Sequence, residues 1–193
     1  MNDIPKAERG RKAIHYTAVL IPLIYYFFLE KGPAVIILLI LSVCMLIAEA
    51  LRMTVPSCRS LYVRLFGDMT RPHEHANHLT GATYLFIGSM LVVYLFPKEI
   101  ATIAMLFILV GDPTACLVGM AFGKIKLSRS KTLEGTLAFI IASMIATWWI
   151  PGVPIYVKLI GAVAAGGLEL TSWRLDDNLI IPSVAAAVMY FLI

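Results

Sequence analysis

The sequence predicts an all-α integral membrane protein of about seven transmembrane helices, with its N-terminus in the cytoplasm. Of the 193 residues, 60% are apolar and 15% are charged, and the mean hydropathy is +0.84. Soluble domains have about 25% charged residues, so this composition is typical of membrane proteins. Because no polar stretch is long enough to fold by itself, we expect a single transmembrane helical domain over residues 1–193.

Seven apolar segments carry the prediction of spanning helices. Most approach the roughly 20 residues that a helix needs to cross a bilayer, and the last is shorter, which suits a tilted or partly interfacial helix. The first segment lacks a cleavage pattern, so we expect a retained span and not a cleaved signal peptide. The segments are about Ala13–Leu29, Pro33–Leu51, Leu79–Phe96, Glu99–Phe122, Leu133–Ile150, Ile155–Thr171 and Leu179–Ile193.

The distribution of basic residues predicts the orientation. Of the 16 Lys and Arg residues, all but Lys31, Lys98 and Lys158 lie at the N-terminus or in the even-numbered loops. The positive-inside rule places those regions in the cytoplasm, so we expect a protein of the cell membrane or an endomembrane with a cytoplasmic active face. Basic clusters in short loops suit anionic membrane surfaces and phosphate ligands better than DNA or RNA, so we predict no nucleic-acid partner.

The stretch Gly111–Gly135, GDPTACLVGMAFGKIKLSRSKTLEG, has the most unusual composition in the chain. We expect the fourth span to be broken at Gly111-Asp112-Pro113, with Asp112 roughly 16 Å from the cytoplasmic end of the span. An acid at that depth is costly and indicates a functional site or a water-filled cavity. Carboxylates and phosphates together suit Mg²⁺. The alternative is a capped kink without chemistry.

The loop after this span is basic and ends in a cluster of polar groups. Lys124, Lys126, Arg129 and Lys131 are followed by Thr132 and Glu134. Lysine and arginine bind phosphate, although such cations can also serve only to orient a membrane protein. A P-loop is excluded because the spacing and the final Ser/Thr are wrong. The GxxxG pair Gly119 and Gly123 indicates close helix packing.

Further candidates lie at the same predicted side of the membrane. In loop two, the histidine spacing does not fit a zinc site, and Arg71 and Glu74 are the better candidates for substrate contact. His15 follows Arg11 and Lys12 by about one turn, so we expect the three on one helix face near the cytoplasm. Glu49 and Glu169 lie near the cytoplasmic ends of their spans. Asp176, Asp177 and Asn178 supply further oxygen ligands, or else form an ordinary turn and helix cap before the last span.

These motifs together resemble a known family. GDPTACLVGMAFGKIKLSRSKTLEG, a later Glu and DDNLIIP, with RKAIH and RPHEHANHLTGATY before them, resemble the CTP-dependent lipid-alcohol kinases: dolichol kinase, phytol kinase and CTP-dependent diacylglycerol kinase. The related phosphatidate cytidylyltransferases share the first motif, but their C-terminal PGHGG-type signature is absent here. The resemblance therefore favours phosphoryl transfer over nucleotidyl transfer.

The resemblance implies a kinase that transfers the γ-phosphate of CTP to the hydroxyl of a membrane lipid alcohol, a polyprenol or dolichol or a diacylglycerol, with Mg²⁺ or another divalent cation. Phosphatidate cytidylyltransferase and a small transporter using intramembrane acids are the alternatives. A homo-oligomer is possible, but the sequence does not decide it. The resemblance implies that the metal is bound by Asp112, Asp177 and Asp176, and that catalysis is carried out by Asp112, Asp177, Lys131 and Glu134. It implies that the nucleotide and its phosphates are bound by Gly123, Lys124, Arg129, Lys131, Thr132 and Asn178. It implies that the substrate is contacted by Arg11, His15, Glu49, Arg71, Glu74 and Glu169.

Overall fold

Over the residues that the structure describes (6–67, 78–128, 131–171 and 175–193), the computed structural model contains ten α-helices and one π-helical turn. The prediction of an all-α fold is confirmed for these residues. The helices are α1 (Lys6–Thr17), α2 (Leu20–Phe28), α3 (Lys31–Thr54), α4 (Pro56–Phe66), α5 (Gly81–Leu95), α6 (Lys98–Leu106), α7 (Asp112–Phe122), α8 (Leu133–Thr147), α9 (Ile155–Glu169) and α10 (Asp177–Phe191), and the π-helical turn is Phe107–Gly111.

Six of the predicted apolar segments each coincide with one continuous helix of the described chain. The first, Ala13–Leu29, is divided between α1 and α2 by a turn at Ala18 and Val19, and α4 was not predicted. Two helices of the described chain are long and apolar enough to cross a membrane, namely Lys31–Thr54 and the continuous helix Lys98–Phe122. Gly81–Leu95, Leu133–Thr147 and Asp177–Phe191 are apolar but shorter. The number of spans and their orientation therefore stay predictions.

The predicted break at Gly111-Asp112-Pro113 is wrong, because the helix continues through these residues. Proline lacks an N–H, and its ring collides with the carbonyl four residues earlier in an α-helix. The π-helical turn Phe107–Gly111 inserts an extra residue just before Pro113 and so accommodates the ring without ending the helix. Asp112 starts α7 with helical φ and ψ of −59° and −49°, and its side chain remains available for other contacts.

Helix α6 and the π-helical turn form the centre of the bundle. Every residue from Ile100 to Leu109 is buried, and α2, α5, α8 and α10 pack around them. A helix that is apolar on all sides requires such a position. Asp112 follows this buried segment directly, so the centre of the bundle presents a carboxylate at one end.

The two ends of the bundle differ in chemistry. One end carries an aromatic cluster, in which the rings of Phe27 and Trp149 stack with centroids 5.5 Å apart and Lys98 lies over Tyr26. At this end the buried ammonium of Lys158 caps α8 by donating to the carbonyls of Thr147 and Ile150, at 2.8 and 2.5 Å. The starts of α5, α8 and α10 and the ends of α3, α7 and α9 lie at the opposite, polar end.

The GxxxG pair of α7 packs within the chain against the start of α8. A methyl group on Gly135 would come within 2.9 Å of the Ala115 carbonyl oxygen and 3.4 Å of Gly119 Cα. One on Gly119 would meet Thr132 Oγ1 at 3.1 Å. The glycines therefore allow α7 and α8 to approach closely, and this contact places the loop between them at the polar end.

Candidate active site

A cavity of about 380 Å³ opens at the polar end, where α1, α7 and α8 meet the end of α9 and the start of α10. It combines basic, acidic and small side chains. Six predicted site residues line it: Arg11, Asp112, Lys131, Thr132, Glu169 and Asp177. The other lining residues are Glu8, Lys12, Ala115, Cys116, Gly119, Met120, Gly135 and Thr136.

Asp112 is paired with Lys12 across 100 residues of sequence. The distance from Lys12 Nζ to Asp112 Oδ2 is 2.5 Å, and the side chain of Lys12 is only 3% exposed. A buried charge requires a partner of this kind, because its desolvation is costly. Lys12 was not among the predicted site residues, although it lies one residue after Arg11 and one before the first apolar segment. Its burial depends on a contact that spacing does not reveal.

His15 connects Asp112 to the start of α10. Its Nδ1 lies 3.5 Å from Asp112 Oδ2, and its Nε2 lies 2.9 Å from Asn178 Oδ1. The side-chain amide of Asn178 donates to the Gly81 carbonyl at 3.1 Å and to Asp176 Oδ1 at 2.8 Å. Asp176 also accepts from the Asn178 backbone amide and so caps α10. This network fixes α1 and α10 next to the cavity.

Lys131 and Glu169 form the second ion pair of the cavity, in which Glu169 is buried and Lys131 is half-buried. Lys131 Nζ lies 2.5 Å from Glu169 Oε1, and the Glu169 side chain is 2% exposed. Burial disfavours the charged form of Lys131, but the neighbouring carboxylates of Glu169 and Asp112 outweigh it and raise the pKa of Lys131 above its usual value. Lys131 is therefore protonated throughout the physiological pH range and presents a permanent positive charge to the cavity.

Local structure explains how the remaining lining residues are held. The Thr132 hydroxyl accepts from the Gly135 amide at 3.2 Å and caps α8, which places Thr132 at the cavity edge. Arg11 pairs with Glu8 at 2.8 Å, one turn apart on α1. Asp177 occupies the first turn of α10. Glu8, like Lys12, was not predicted as a site residue.

Several predicted site residues do not line the cavity. Gly123 ends α7, Lys124 is exposed, and Glu134 accepts from the Ile125 amide at 3.3 Å, which ties the loop to α8. Asp176, His15 and Asn178 belong to the network beside the cavity and not to its lining. Arg71, Glu74 and Arg129 lie outside the described residues.

Glu49 lies in a separate buried cluster at the end of α3. Its Oε1 accepts from the Thr80 amide and hydroxyl at 2.9 and 2.6 Å and from the Thr83 hydroxyl at 3.0 Å. Its Oε2 pairs with the buried Arg52, which also donates to the His78 carbonyl. This arrangement fastens the start of α5 to the end of α3, and its geometry is that of a structural contact.

We therefore expect Glu49→Ala to destabilise the fold. The substitution removes the acceptor of Thr80 and Thr83 and the counter-ion of a buried guanidinium, so the free energy of unfolding should fall by about 3–5 kcal/mol. Denaturant unfolding of the purified protein measures this change. The exposed Glu30 provides the control, because Glu30→Ala should have little effect. Equal stability of the two variants would contradict a structural role for Glu49.

The donor set of the cavity fits a divalent cation that shares its ligands with phosphates. Among the described residues, no group of three His, Cys, Asp or Glu side chains could hold a metal by itself. Asp112 and Asp177 nevertheless face the same cavity as Arg11, Lys12 and Lys131. Mg²⁺ commonly takes one or two carboxylates and completes its shell with substrate phosphates and water. The cavity therefore suits a metal-bound polyphosphate better than a metal alone.

Comparison with known proteins identifies relatives along most of the chain. The chain is 28% identical over 162 residues to CTP-dependent diacylglycerol kinase 1 of Schizosaccharomyces pombe. The aligned stretch covers 75% of this chain and 74% of that protein. The Saccharomyces cerevisiae protein of the same name is 27% identical over 207 residues, 92% of this chain and 65% of that protein. An uncharacterized protein of Methanocaldococcus jannaschii is 32% identical over 142 residues, 68% of this chain and 70% of that protein. No protein-family model and no solved structure matches the chain.

Proposed function

Because the chain belongs to the family of CTP-dependent lipid kinases, we propose that it transfers the γ-phosphate of CTP to the hydroxyl of a membrane lipid alcohol in the cavity at its polar end. The relatives named diacylglycerol kinase make diacylglycerol the first candidate for the acceptor, and a polyprenol or dolichol is the second. The observation that carries this proposal is the cavity itself. It brings Asp112 and Lys131 of one motif together with Asp177 of the other.

We propose that the polar end faces the cytoplasm and that the seven apolar segments embed the chain in the membrane. The charge bias of the loops supports this orientation. The aromatic cluster at the other end supports embedding in the membrane, since aromatic side chains are enriched where a protein crosses a membrane–water interface. A cavity at the cytoplasmic end is accessible to CTP from solution and to a lipid hydroxyl at the level of the head groups.

Three cations of the lining would bind the triphosphate. Lys131 and Lys12 are held in position by Glu169 and Asp112, and Arg11 by Glu8. Lysine binds phosphate as a point charge, and arginine can donate two parallel hydrogen bonds. Thr132 lies at the same edge and can donate its hydroxyl hydrogen to a phosphate oxygen. The exposed Lys124, and Arg129, would attract CTP to the cavity by charge.

Asp112 and Asp177 would hold a divalent cation together with the phosphates, and Asp176 remains the less favoured third ligand. Such an ion, when bound, neutralises charge on the β- and γ-phosphates. The protein's own contribution is to fix these carboxylates. Lys12 and His15 orient Asp112, and the cap of α10 orients the first turn that carries Asp177.

In the transfer, the lipid hydroxyl oxygen forms a bond to the γ-phosphorus and the bond between that phosphorus and the β–γ bridging oxygen breaks. CDP leaves with the electron pair of that bond, and the hydroxyl proton passes to a carboxylate of the cavity. Acceptance of this proton is the role that we propose for Asp177 as the alternative to binding the cation. Such catalysis consists mainly of positioning and charge stabilisation. The buried ion pairs of the cavity supply both.

Purified protein incubated with Mg²⁺, with CTP labelled with ³²P in the γ-position and, in separate reactions, with diacylglycerol, a polyprenol or phosphatidate tests the proposal. A kinase gives labelled lipid in the organic phase and unlabelled CDP. A phosphatidate cytidylyltransferase gives label only in pyrophosphate, and a transporter gives no turnover; either result would overturn the proposal. Comparison of the two acceptors at equal concentration decides which lipid is used.

Cys116 provides a second test, because it lines the cavity on α7 next to Glu8. With Cys44 and Cys58 replaced by serine, a maleimide should label Cys116 more slowly when CTP and Mg²⁺ are present. Cytidine lacks the phosphates and should not protect. A protein that keeps only Cys58 on α4 is the matched control and should label at the same rate with and without CTP. Unchanged labelling of Cys116 at saturating CTP would contradict nucleotide binding in this cavity.

A further inference from the structure

Helix α4 is amphipathic, and the described residues of the protein leave much of its apolar face exposed. Its apolar side chains other than Val63 follow the spacing i, i+3, i+4, i+7 and i+8, which places them along one face. The opposite face carries Ser57, Ser60, Val63 and Arg64. The apolar face, as defined here, consists of Cys58, Leu61, Tyr62, Leu65 and Phe66.

The apolar face is only partly buried. Cys58 and Tyr62 are half-buried, and the guanidinium of Arg52 at the end of α3 lies 4.9 Å from the centre of the Tyr62 ring. Leu61 and Leu65 on its edge are 56% and 58% exposed, and no residue of α4 is buried. An amphipathic helix with an uncovered apolar face gains most of its stability from a further apolar partner.

The position of α4 in the chain indicates what that partner is. Helix α3 is one of the two helices able to cross a membrane, and its most apolar window is only 22% buried. It exposes Ile40, Ile47 and Leu51 along its length, up to the end from which α4 departs. Val55 has an extended conformation, so the chain leaves the axis of α3 before Pro56 starts α4. The exposed apolar surface of a spanning helix thus continues onto a helix that begins at the membrane boundary.

The charges of α4 suit a negatively charged surface. The segment from Pro56 to Gly67 contains Arg59 and Arg64, both exposed, and no acidic residue. Helices with an apolar face and basic residues on the polar face lie in the plane of the interface of anionic membranes. The same end of α3 is joined to the start of α5 through Glu49 and Thr80, so α4 belongs to the polar end of the bundle.

We propose that α4 lies on the bilayer surface at the polar end of the protein, with Leu61, Leu65 and Phe66 at the boundary of the acyl chains and Arg59 and Arg64 against the head groups of anionic lipids. This surface is distinct from the cavity and does not depend on which reaction the cavity performs. Because α4 follows α3 directly, its position on the bilayer would fix the depth of the polar end of the protein relative to the lipid head groups.

Site-specific fluorescence in vesicles tests the position of α4. The full-length protein, with its native cysteines replaced, receives a single bimane label at Leu61→Cys or Leu65→Cys, and at Ser57→Cys or Ser60→Cys as matched controls on the opposite face. We expect lipids brominated near the glycerol end of the acyl chain to quench the first pair, and aqueous iodide to quench the second. Quenching of all four labels by iodide alone would overturn the proposal. Shielding of Leu61 and Leu65 from both quenchers would also overturn it and would indicate a protein partner, such as a second copy of the chain.

The charge requirement is tested by lipid composition. Each basic residue near an anionic surface should favour the membrane-inserted state of α4 about fivefold. The double variant Arg59→Gln/Arg64→Gln should therefore lower the equilibrium constant for insertion roughly 25-fold. We expect stronger quenching at Leu65→Cys in vesicles of phosphatidylcholine with phosphatidylglycerol than in phosphatidylcholine alone, and loss of this difference in the double variant. Recognition of anionic lipids would be refuted if the difference in quenching between the two lipid compositions persisted in the double variant. It would also be refuted if the protein with both arginines showed no such difference.

Discussion

Replacing Asp112 with asparagine is expected to lower the rate of phosphate transfer by about 10²–10³-fold, the usual effect of removing one group that stabilises charge in the transition state. Asp112 lies at the end of the buried centre of the bundle and faces the cavity beside Lys12 and His15. Asparagine keeps the shape but loses the charge with which the carboxylate would bind a divalent cation. Initial rates with γ-labelled CTP at saturating lipid measure the effect.

The Asp112→Asn variant alone has a second effect, because it leaves the ammonium of Lys12 buried without its counter-ion. Loss of one partner of such a pair destabilises a protein by about 3–5 kcal/mol. The double variant Lys12→Met/Asp112→Asn removes both charges and should recover most of this stability in a thermal unfolding measurement. Its activity should remain low. Recovery of activity together with stability would show that Asp112 acts only as the partner of Lys12.

The main features of the fold could be predicted because burial in a membrane restricts composition. A long apolar segment must form a helix there, since its backbone groups have no other partners. Six of the seven segments coincide with one continuous helix of the described chain, and only Ala13–Leu29 is divided between two helices. The effect of Pro113 was not predictable in the same way, because a proline in a helical segment can be accommodated by a break, a kink or a π-helical turn. Which of these forms depends on packing around the buried residues before it.

Site residues were predicted where a motif kept them close in sequence, and missed where tertiary contacts create the site. Asp112, Lys131 and Asp177 belong to local motifs, and the structure brings them to one cavity. Lys12 carries no local signal, because a basic residue before an apolar segment usually marks orientation. Glu49 illustrates the reverse case. An acid near the end of a span indicates function by default, yet here the groups that donate hydrogen bonds to it and its counter-ion all belong to the contact between α3 and α5.

The sequence does not predict helix α4, because the loop that contains it lacks the long apolar run that marks a spanning helix. Its period of apolar residues is short, and an isolated helix of this length is marginal in water. A helix that lies at an interface needs only one apolar face, so its hydropathy falls well below that of a spanning segment. The helical spacing of its apolar residues, and not the average hydropathy of the segment, is the signal that indicates this helix.

Lys131→Met is expected to reduce kcat/KM for CTP by about 10²–10³-fold, because it removes a permanent positive charge from the cavity. Lys131→Arg keeps the charge and should retain more activity than Lys131→Met, although the different shape of the guanidinium makes full activity unexpected. Lys126→Met is the matched control. Lys126 lies in the same loop and is exposed, so its loss should change kcat/KM little. Equal effects at Lys126 and Lys131 would indicate a diffuse attraction of CTP and no defined phosphate contact.

The partner Glu169 distinguishes phosphate binding from simple charge balance at this site. Glu169→Gln leaves Lys131 charged but removes the carboxylate that holds it at 2.5 Å. If Lys131 binds phosphate, this variant should keep measurable activity with a raised KM for CTP, because the cation is present but less well positioned. The double variant Lys131→Met/Glu169→Gln should be as stable as the native protein or nearly so, since both buried charges are gone, and still be as inactive as Lys131→Met. Activity restored in the double variant would mean that Lys131 serves only to neutralise Glu169. Lys131 would then be excluded as a phosphate-binding residue.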